Sequence, residues 1–161
     1  MKIVEYEERY LEDVRDLLVE LEEYIISIDE DELDQIGKNY REKMALIDLE
    51  EVSKYNGKCY IAVEADEVIG LVMGCIFPYD DKDYLDYKCP KRGKITELIV
   101  SKKSRGHGIG KVLMGKIEEY FKSLGCEYVL LDVFAYNINA IRFYEKEGYH
   151  SRMYKEIKRL I

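Results

Sequence analysis

A chain of 161 residues can hold one domain with a real core and is too short for two comfortable ones, so a single domain over residues 1–161 is expected. Its 47% hydrophobic and 36% charged residues are ordinary for a soluble globular protein, and no apolar run approaches membrane-spanning length. The net charge of −8 argues against nonspecific nucleic-acid binding and mildly favours cationic partners, with a solubility-driven acidic surface as an equally good explanation.

Lys2–Tyr6 reads as a short first strand. From Tyr10 to about Ile26 the pattern is helical, with Leu11, Val14, Leu18, Leu21 and Ile25 on one face and Glu12, Asp13, Asp16, Glu20 and Glu23 on the other. Asp29-Glu30-Asp31-Glu32 breaks that pattern as a turn or a cap. A second helical region spans roughly Leu33 to Lys54, interrupted at Gly37-Lys38-Asn39. Asn56-Gly57 marks a turn. Lys58–Glu64 and Val68–Phe77 read as an antiparallel pair joined at Ala65-Asp66-Glu67. Tyr79–Gly93 is irregular, charged and rich in tyrosine, and longer than an ordinary hairpin connection.

Ile95–Val100 is an apolar run that predicts a buried strand. A polar turn, Ser101–Arg105, follows, and then glycines at alternate positions: Gly106, Gly108 and Gly110. A helical period starts there, with Ile109, Val112, Leu113, Ile117, Phe121 and Leu124 at steps of three and four. Glu127–Phe134 is nearly continuously apolar, as for a strand buried on both faces. Asn137 or Asn139 can cap a helix that Gly148 ends, and Tyr149–Leu160 reads as one or two closing strands. Cys59, Cys75, Cys89 and Cys126 are widely spaced, and only two histidines are present. Free thiols in a reducing cytoplasm, and no metal site, are therefore expected. Met1-Lys2-Ile3-Val4-Glu5 lacks a signal-peptide pattern, and no membrane partner is expected.

Glycines between a strand and a helix suit an anion such as a diphosphate, because bare N–H groups and the positive end of the helix dipole meet there. A P-loop is rejected, since Gly110-Lys111 is followed by Val112 and the magnesium-binding hydroxyl is missing. A dinucleotide fingerprint matches at Gly106 and Gly108, but Lys111 stands at its third glycine. It stays open as the runner-up, with Asp132 at a suitable distance downstream.

Arg105-Gly106-His107-Gly108-Ile109-Gly110 resembles the Arg/Gln-x-x-Gly-x-Gly/Ala signature of the GNAT superfamily of N-acetyltransferases. Downstream, Asn137-Ile138-Asn139-Ala140-Ile141-Arg142-Phe143-Tyr144-Glu145-Lys146-Glu147-Gly148-Tyr149 is similar to that family's Asn-x-x-Ala-x-x-x-Tyr-x-x-x-Gly-Phe/Tyr segment. The resemblance implies an α/β fold: a mixed, mostly antiparallel sheet of six to seven strands, helices on both faces, strands four and five splayed apart. It implies acetyl-CoA as co-substrate, held by Arg105, Gly106, His107, Gly108, Ile109, Gly110 and Lys111 at the diphosphate. The backbone of Leu98, Ile99 and Val100 would take the pantetheine arm, with Asn137 and Tyr144 also in contact.

Acetyl transfer to an amine needs a proton acceptor for the amine, a donor for the oxyanion and a donor for the leaving thiolate. Tyr144 matches the family's general acid. Glu97 and Asp132 compete as base: Glu97 matches a glutamate many relatives carry, and Asp132 a glutamate of relatives acting on protein N-termini. A charge inside an apolar strand needs a partner or a purpose. The implied reaction is direct attack by a primary amine in a ternary complex. Acidic residues of the first helices, Glu22, Glu23, Asp29, Glu30, Asp31 and Glu32, suggest a cationic acceptor: a polyamine, an aminoglycoside-like amine, or a peptide lysine or N-terminus. A non-catalytic acyl-CoA sensor is the other alternative. Relatives are often dimers, the only basis for expecting a homodimer.

Overall fold

The computed structural model describes residues 1–161. Five strands form one sheet in chain order: β1 (Lys2–Glu5), β2 (Lys58–Glu64), β3 (Glu67–Cys75), β4 (Arg92–Val100) and β5 (Tyr128–Leu131). The first three pairings are antiparallel, and β5 joins β4 in parallel. The helices are α1 (Leu11–Ile28), α2 (Tyr40–Lys54), a four-residue α3 (Asp83–Asp86) inside the tyrosine-rich loop, α4 (Ile109–Ser123) and α5 (Ile138–Lys146). The second helical region is shorter than its pattern predicts. Residues 33–37 are not helical, and α2 starts only after Asn39, whose φ of 62° is incompatible with a continuing helix.

The alternation of β2 sorts the core into two halves. Cys59, Ile61 and Val63 face α1 and α2, packing with Val14, Leu17, Leu18, Ala45, Val52, Leu71, Met73 and Ile99. Tyr60 and Ala62 face α4, packing with Ile69, Val72, Ile95, Ile109, Leu113, Met114, Ile117 and Phe121. Phe143 and Tyr144 of α5 join the second half from its margin.

A bulge in β4 breaks this alternation. Met73 pairs with Glu97 while its neighbour Gly74 pairs with Ile95, so Thr96 is an extra residue. Beyond the bulge, Ile99 faces α1 and α2, and before it Ile95 faces α4. Glu97, two residues from Ile99 and opposite Met73, therefore lies on the face that α1 and α2 cover.

Two expectations are corrected. The sheet has five strands rather than six to seven, because residues 150–161 carry no regular structure and are exposed throughout. Met153, Tyr154, Ile157, Leu160 and Ile161 recur at steps nearer three and four than two, so no extended form would give the segment one apolar face. For the same reason β5 is an edge strand of four residues, not a strand buried on both faces: Tyr128 is exposed and none of the four is fully buried.

Helix α4 approaches the sheet where side chains are absent. A Cβ on Gly93 would lie 2.4 Å from two ring carbons of Phe121, a fully buried side chain. Gly93→Ala forces that ring to move, and we expect it to destabilise the fold by about 1–3 kcal/mol. The measurement is urea unfolding, in which the midpoint falls while the denaturant slope is unchanged.

Candidate active site

The site begins where β4 and β5 part. Their pairing runs from Arg92 opposite Tyr128 to Ile95 opposite Leu131 and stops. From Glu97 to Val100, β4 pairs with β3 alone among the strands, so its other edge, at Leu98 and Val100, faces the gap, where the Val100 carbonyl accepts from Arg105. The bulge at Thr96 sits where the pairing ends, and the Thr96 hydroxyl is buried without a hydrogen-bond partner.

The chain leaves β4 through a single 3-10 turn, Lys102–Ser104, and enters α4 through the glycines. Gly106 and Gly108 have φ of 84° and 76°, a region strained for any residue with a Cβ, although no neighbouring atom would meet one. Gly110 has no such φ, and the left-handed turn does not require it. None of the N–H groups from Gly106 to Lys111 donates a hydrogen bond within the chain. Six unpaired donors at the positive end of α4 form an anion cradle that fits a diphosphate.

The side chains around this cradle brace it. Arg105 donates from Nε to the Val100 carbonyl at 3.0 Å, lies 3.6 Å from Glu20 and covers the ring of Tyr24 at 5.3 Å. Glu20 accepts from the Lys102 N–H at 2.6 Å. Lys111 pairs with Glu147 at 3.3 Å, and the exposed His107 has Nδ1 3.3 Å from the Ser104 carbonyl. Asn137 caps α5, its Oδ1 accepting from the Ala140 N–H at 3.2 Å, and also accepts from the Tyr24 hydroxyl at 3.3 Å. The same asparagine thus caps a helix and ties α1 to α5 across the gap.

Glu97 has no hydrogen bond and no ion pair. Burial pushes its carboxyl up to about 8, with the charges of Asp48 and Glu22 adding to the shift. Burial, and then Glu97, push the Tyr144 hydroxyl up to about 12. That hydroxyl also makes no hydrogen bond, so a carboxyl and a phenol stand near one another with their polar atoms uncommitted. The helix face above Glu97 is acidic. Tyr40 donates to Glu22 at 3.4 Å, and burial followed by Glu22, Glu97 and Asp48 raises its hydroxyl. Asp48 is pushed up to about 6, by burial first and then by Glu51.

Asp132 sits differently. It follows the last residue of β5, its side chain is 88% exposed, and it pairs with Lys94 at 2.8 Å. The charge expected inside an apolar strand lies just beyond the end of one. Asp29, expected among the acceptor-binding acids, accepts from the N–H groups of Asp31, Leu33 and Asp34 and so holds the turn after α1. Of the six acids proposed for the acceptor, Glu22 reaches the neighbourhood of Glu97.

Sequence reasoning missed Glu20, Tyr24, Tyr40 and Asp48. The first two act through contacts with residues more than eighty positions away, which no local pattern reports. Asp48 left a signal: it shares a helical face with Ala45 and Val52, both buried, and an acid on such a stripe is out of place.

Glucosamine 6-phosphate N-acetyltransferase of Arabidopsis thaliana is 30% identical over 62% of this chain and 64% of its own length. Spermine/spermidine N(1)-acetyltransferase of Bacillus subtilis is 29% identical over 52% of this chain and 53% of its own length. The chain thus spans between half and two thirds of the length of these and of most other curated relatives it matches. A mutant of the BH1408 protein from Bacillus halodurans superposes with a TM-score of 0.83 over all of both chains at 19% identity, which establishes the fold. Residues 12–149 match the model of the acetyltransferase (GNAT) family, and the chain belongs to that family.

Proposed function

We propose that residues 1–161 form one catalytic domain that moves the acetyl group of acetyl-CoA to a primary amine by direct attack in a ternary complex. The observation that carries this reading is Glu97: a largely buried carboxyl with no partner, on the strand whose free edge lines the gap, within electrostatic reach of Tyr144. The supply of unpaired donors fits the co-substrate. The N–H groups of Gly106, His107, Gly108, Ile109, Gly110 and Lys111 would hold its diphosphate. The backbone of Leu98, Ile99 and Val100 would pair with the amides of its pantetheine arm. Arg105 and Asn137 would hold the loop and α5 in position around it.

Bound acetyl-CoA supplies an activated thioester, and the chain's own groups manage the protons. Glu97 accepts the proton that the amine must lose, and a carboxyl titrating near 8 is well matched to that task at neutral pH. An N–H of β4, at Leu98 or Ile99, stabilises the oxyanion. Tyr144 donates to the departing sulfur. Its hydroxyl, pushed up to about 12, holds its proton far more tightly than a thiol of about 8.5 does, so a hydrogen bond rather than full proton transfer is its contribution. Asp132 is less suited to be the base, because it is exposed and already neutralised by Lys94. The acceptor is a cationic amine. The named acceptors of two relatives, a polyamine and an amino sugar phosphate, differ in charge, and the acids above Glu97 favour the first kind.

Three outcomes are expected. Acetyl-CoA at about a hundredfold excess over its Kd should stabilise the protein by about 2.7 kcal/mol, visible as a higher Tm. No response to either acetyl-CoA or CoA would sink the reading, and stabilisation by NAD instead would favour a dinucleotide site. Glu97→Gln should lower kcat by roughly 100-fold or more and remove the limb of the pH–rate profile near 8, and Tyr144→Phe should lower kcat with little change in the KM for acetyl-CoA.

Glu97 also sets a pH dependence of folding. The unfolded chain releases this proton near the ordinary value of 4.5, whereas the folded chain keeps it to about 8. The stability it contributes is complete below 4.5 and is lost as pH rises through 8. Glu97→Gln should therefore raise Tm over the parent progressively between about pH 5 and about pH 9, a trend that thermal scans at several pH values would measure.

A further inference from the structure

Helix α2 is turned against its own hydrophobicity at one place. Leu46 and Ile47 are 48% and 56% exposed, while Asp48 between them and Leu49 is only 8% exposed. A helix that packs for stability alone would put the apolar pair inside. The Asp48 carboxylate makes no hydrogen bond and no ion pair, and its Oδ2 is wholly covered. An unpaired buried carboxylate costs several kcal/mol relative to one that is paired or hydrated. This conflict between the local pattern and the packing marks a position kept for something other than folding.

The surroundings of Asp48 show what is missing. It lies on the inward face of α2 between Ala45 and Val52, over the sheet face that carries Glu97. Two turns earlier on the same helix, Tyr40 donates to Glu22 of α1. The titratable groups around Asp48 and Glu97 are Glu22 of α1, Tyr40 and Glu51 of α2, and Tyr144 of α5. No lysine or arginine pairs with Asp48, Glu22 or Glu97, although ten ion pairs occur elsewhere. Asp48, Glu22 and Glu97, which act on one another's charge in this layer, share no cation from the chain.

We infer that Asp48, with Glu22, binds a second ammonium group of the acceptor, so that this enzyme selects an amine carrying two cationic centres, one presented to Glu97 and the other to Asp48. A monoamine would satisfy Glu97 and leave Asp48 buried and unpaired. A diamine satisfies both, and the cation lies where water is excluded and the attraction is strong. A sugar phosphate would bring an anion to the same carboxyls and be repelled. The inference rests on the acetyltransferase reading and adds to it a residue that discriminates between acceptors.

The test is a comparison of diaminobutane with butylamine as acceptors for the parent, Asp48→Asn and Asp48→Glu. The parent should prefer the diamine in kcat/KM. Asp48→Asn should reduce the ratio of the two kcat/KM values by about 30-fold, the size of effect expected when one partner of a buried charge pair is removed. The loss should lie mostly in KM, and Asp48→Glu should restore part of the preference. Asp48→Asn removes an unpaired buried charge, so its Tm should equal or exceed the parent's, and a folding defect would not explain the change. Equal ratios in parent and Asp48→Asn, or no preference in the parent, would overturn the inference while leaving acetyl transfer to butylamine intact. Absence of both CoA binding and transfer to any amine would overturn the underlying reading and the inference with it.

Discussion

One extra residue in one strand governs the rest of this molecule. If β4 were regular at Thr96, its alternation would place Ile95 and Glu97 on the same face of the sheet. The bulge lets Ile95 join the α4 core while Glu97 enters the layer under α1 and α2. It also coincides with the last paired residue of β5, so the change of face and the opening of the gap fall at one point. A free backbone edge, a carboxyl and the start of the glycine loop are thereby brought together by a single local irregularity. Bulges recur beside active sites because they re-aim side chains without altering the fold.

The electrostatics follow from that placement. Glu97 is held in a layer with other acids and no cation, and both burial and repulsion favour its protonated form. A group poised in this way is a poor contributor to stability near neutral pH and a good proton acceptor for an arriving ammonium, whose charge would draw its titration down. The anion cradle on the other side of the gap has the opposite character, with unpaired N–H donors and a cluster of basic residues, Lys102, Lys103, Arg105 and Lys111, in and beside it. Donors that suit an anion and carboxyls that suit a cation thus lie at separate places along β4.

The glycine loop and the cap of α5 were legible in the sequence because they are local. Gly106 and Gly108 are demanded by left-handed backbone at fixed positions before a helix, and Asn137 by the cap of the next. Tyr144 and Glu97 were singled out by the resemblance to the GNAT family. The acceptor half was not legible, since it is assembled from α1, α2 and β4, which are far apart in the chain. Asp48 and Glu22 acquire their meaning from Glu97, roughly fifty and seventy-five residues away. Acidic residues on a helix look alike in sequence whether they cap a turn, as Asp29 does, or line a site, as Glu22 does. The last strands were misread because a mixed run of apolar and charged residues was matched to a period of two. Five of its apolar side chains fit a longer period and find no sheet to join.

Helix α1 is also a mechanical part. It holds Glu20, which grips the turn before the diphosphate cradle, Tyr24, which reaches Asn137 at the head of α5, and Glu22, which faces the acids around Glu97. These three residues lie on little more than one turn of helix and touch the two halves of the site at once. The turn before the cradle and the carboxylate layer around Glu97 are thus joined by one helix. Two ligands that each biased the position of this helix would be thermodynamically linked, the affinity of each depending on the other by one common factor. Through that linkage the helix would report occupancy of the glycine loop to the layer of acids around Glu97.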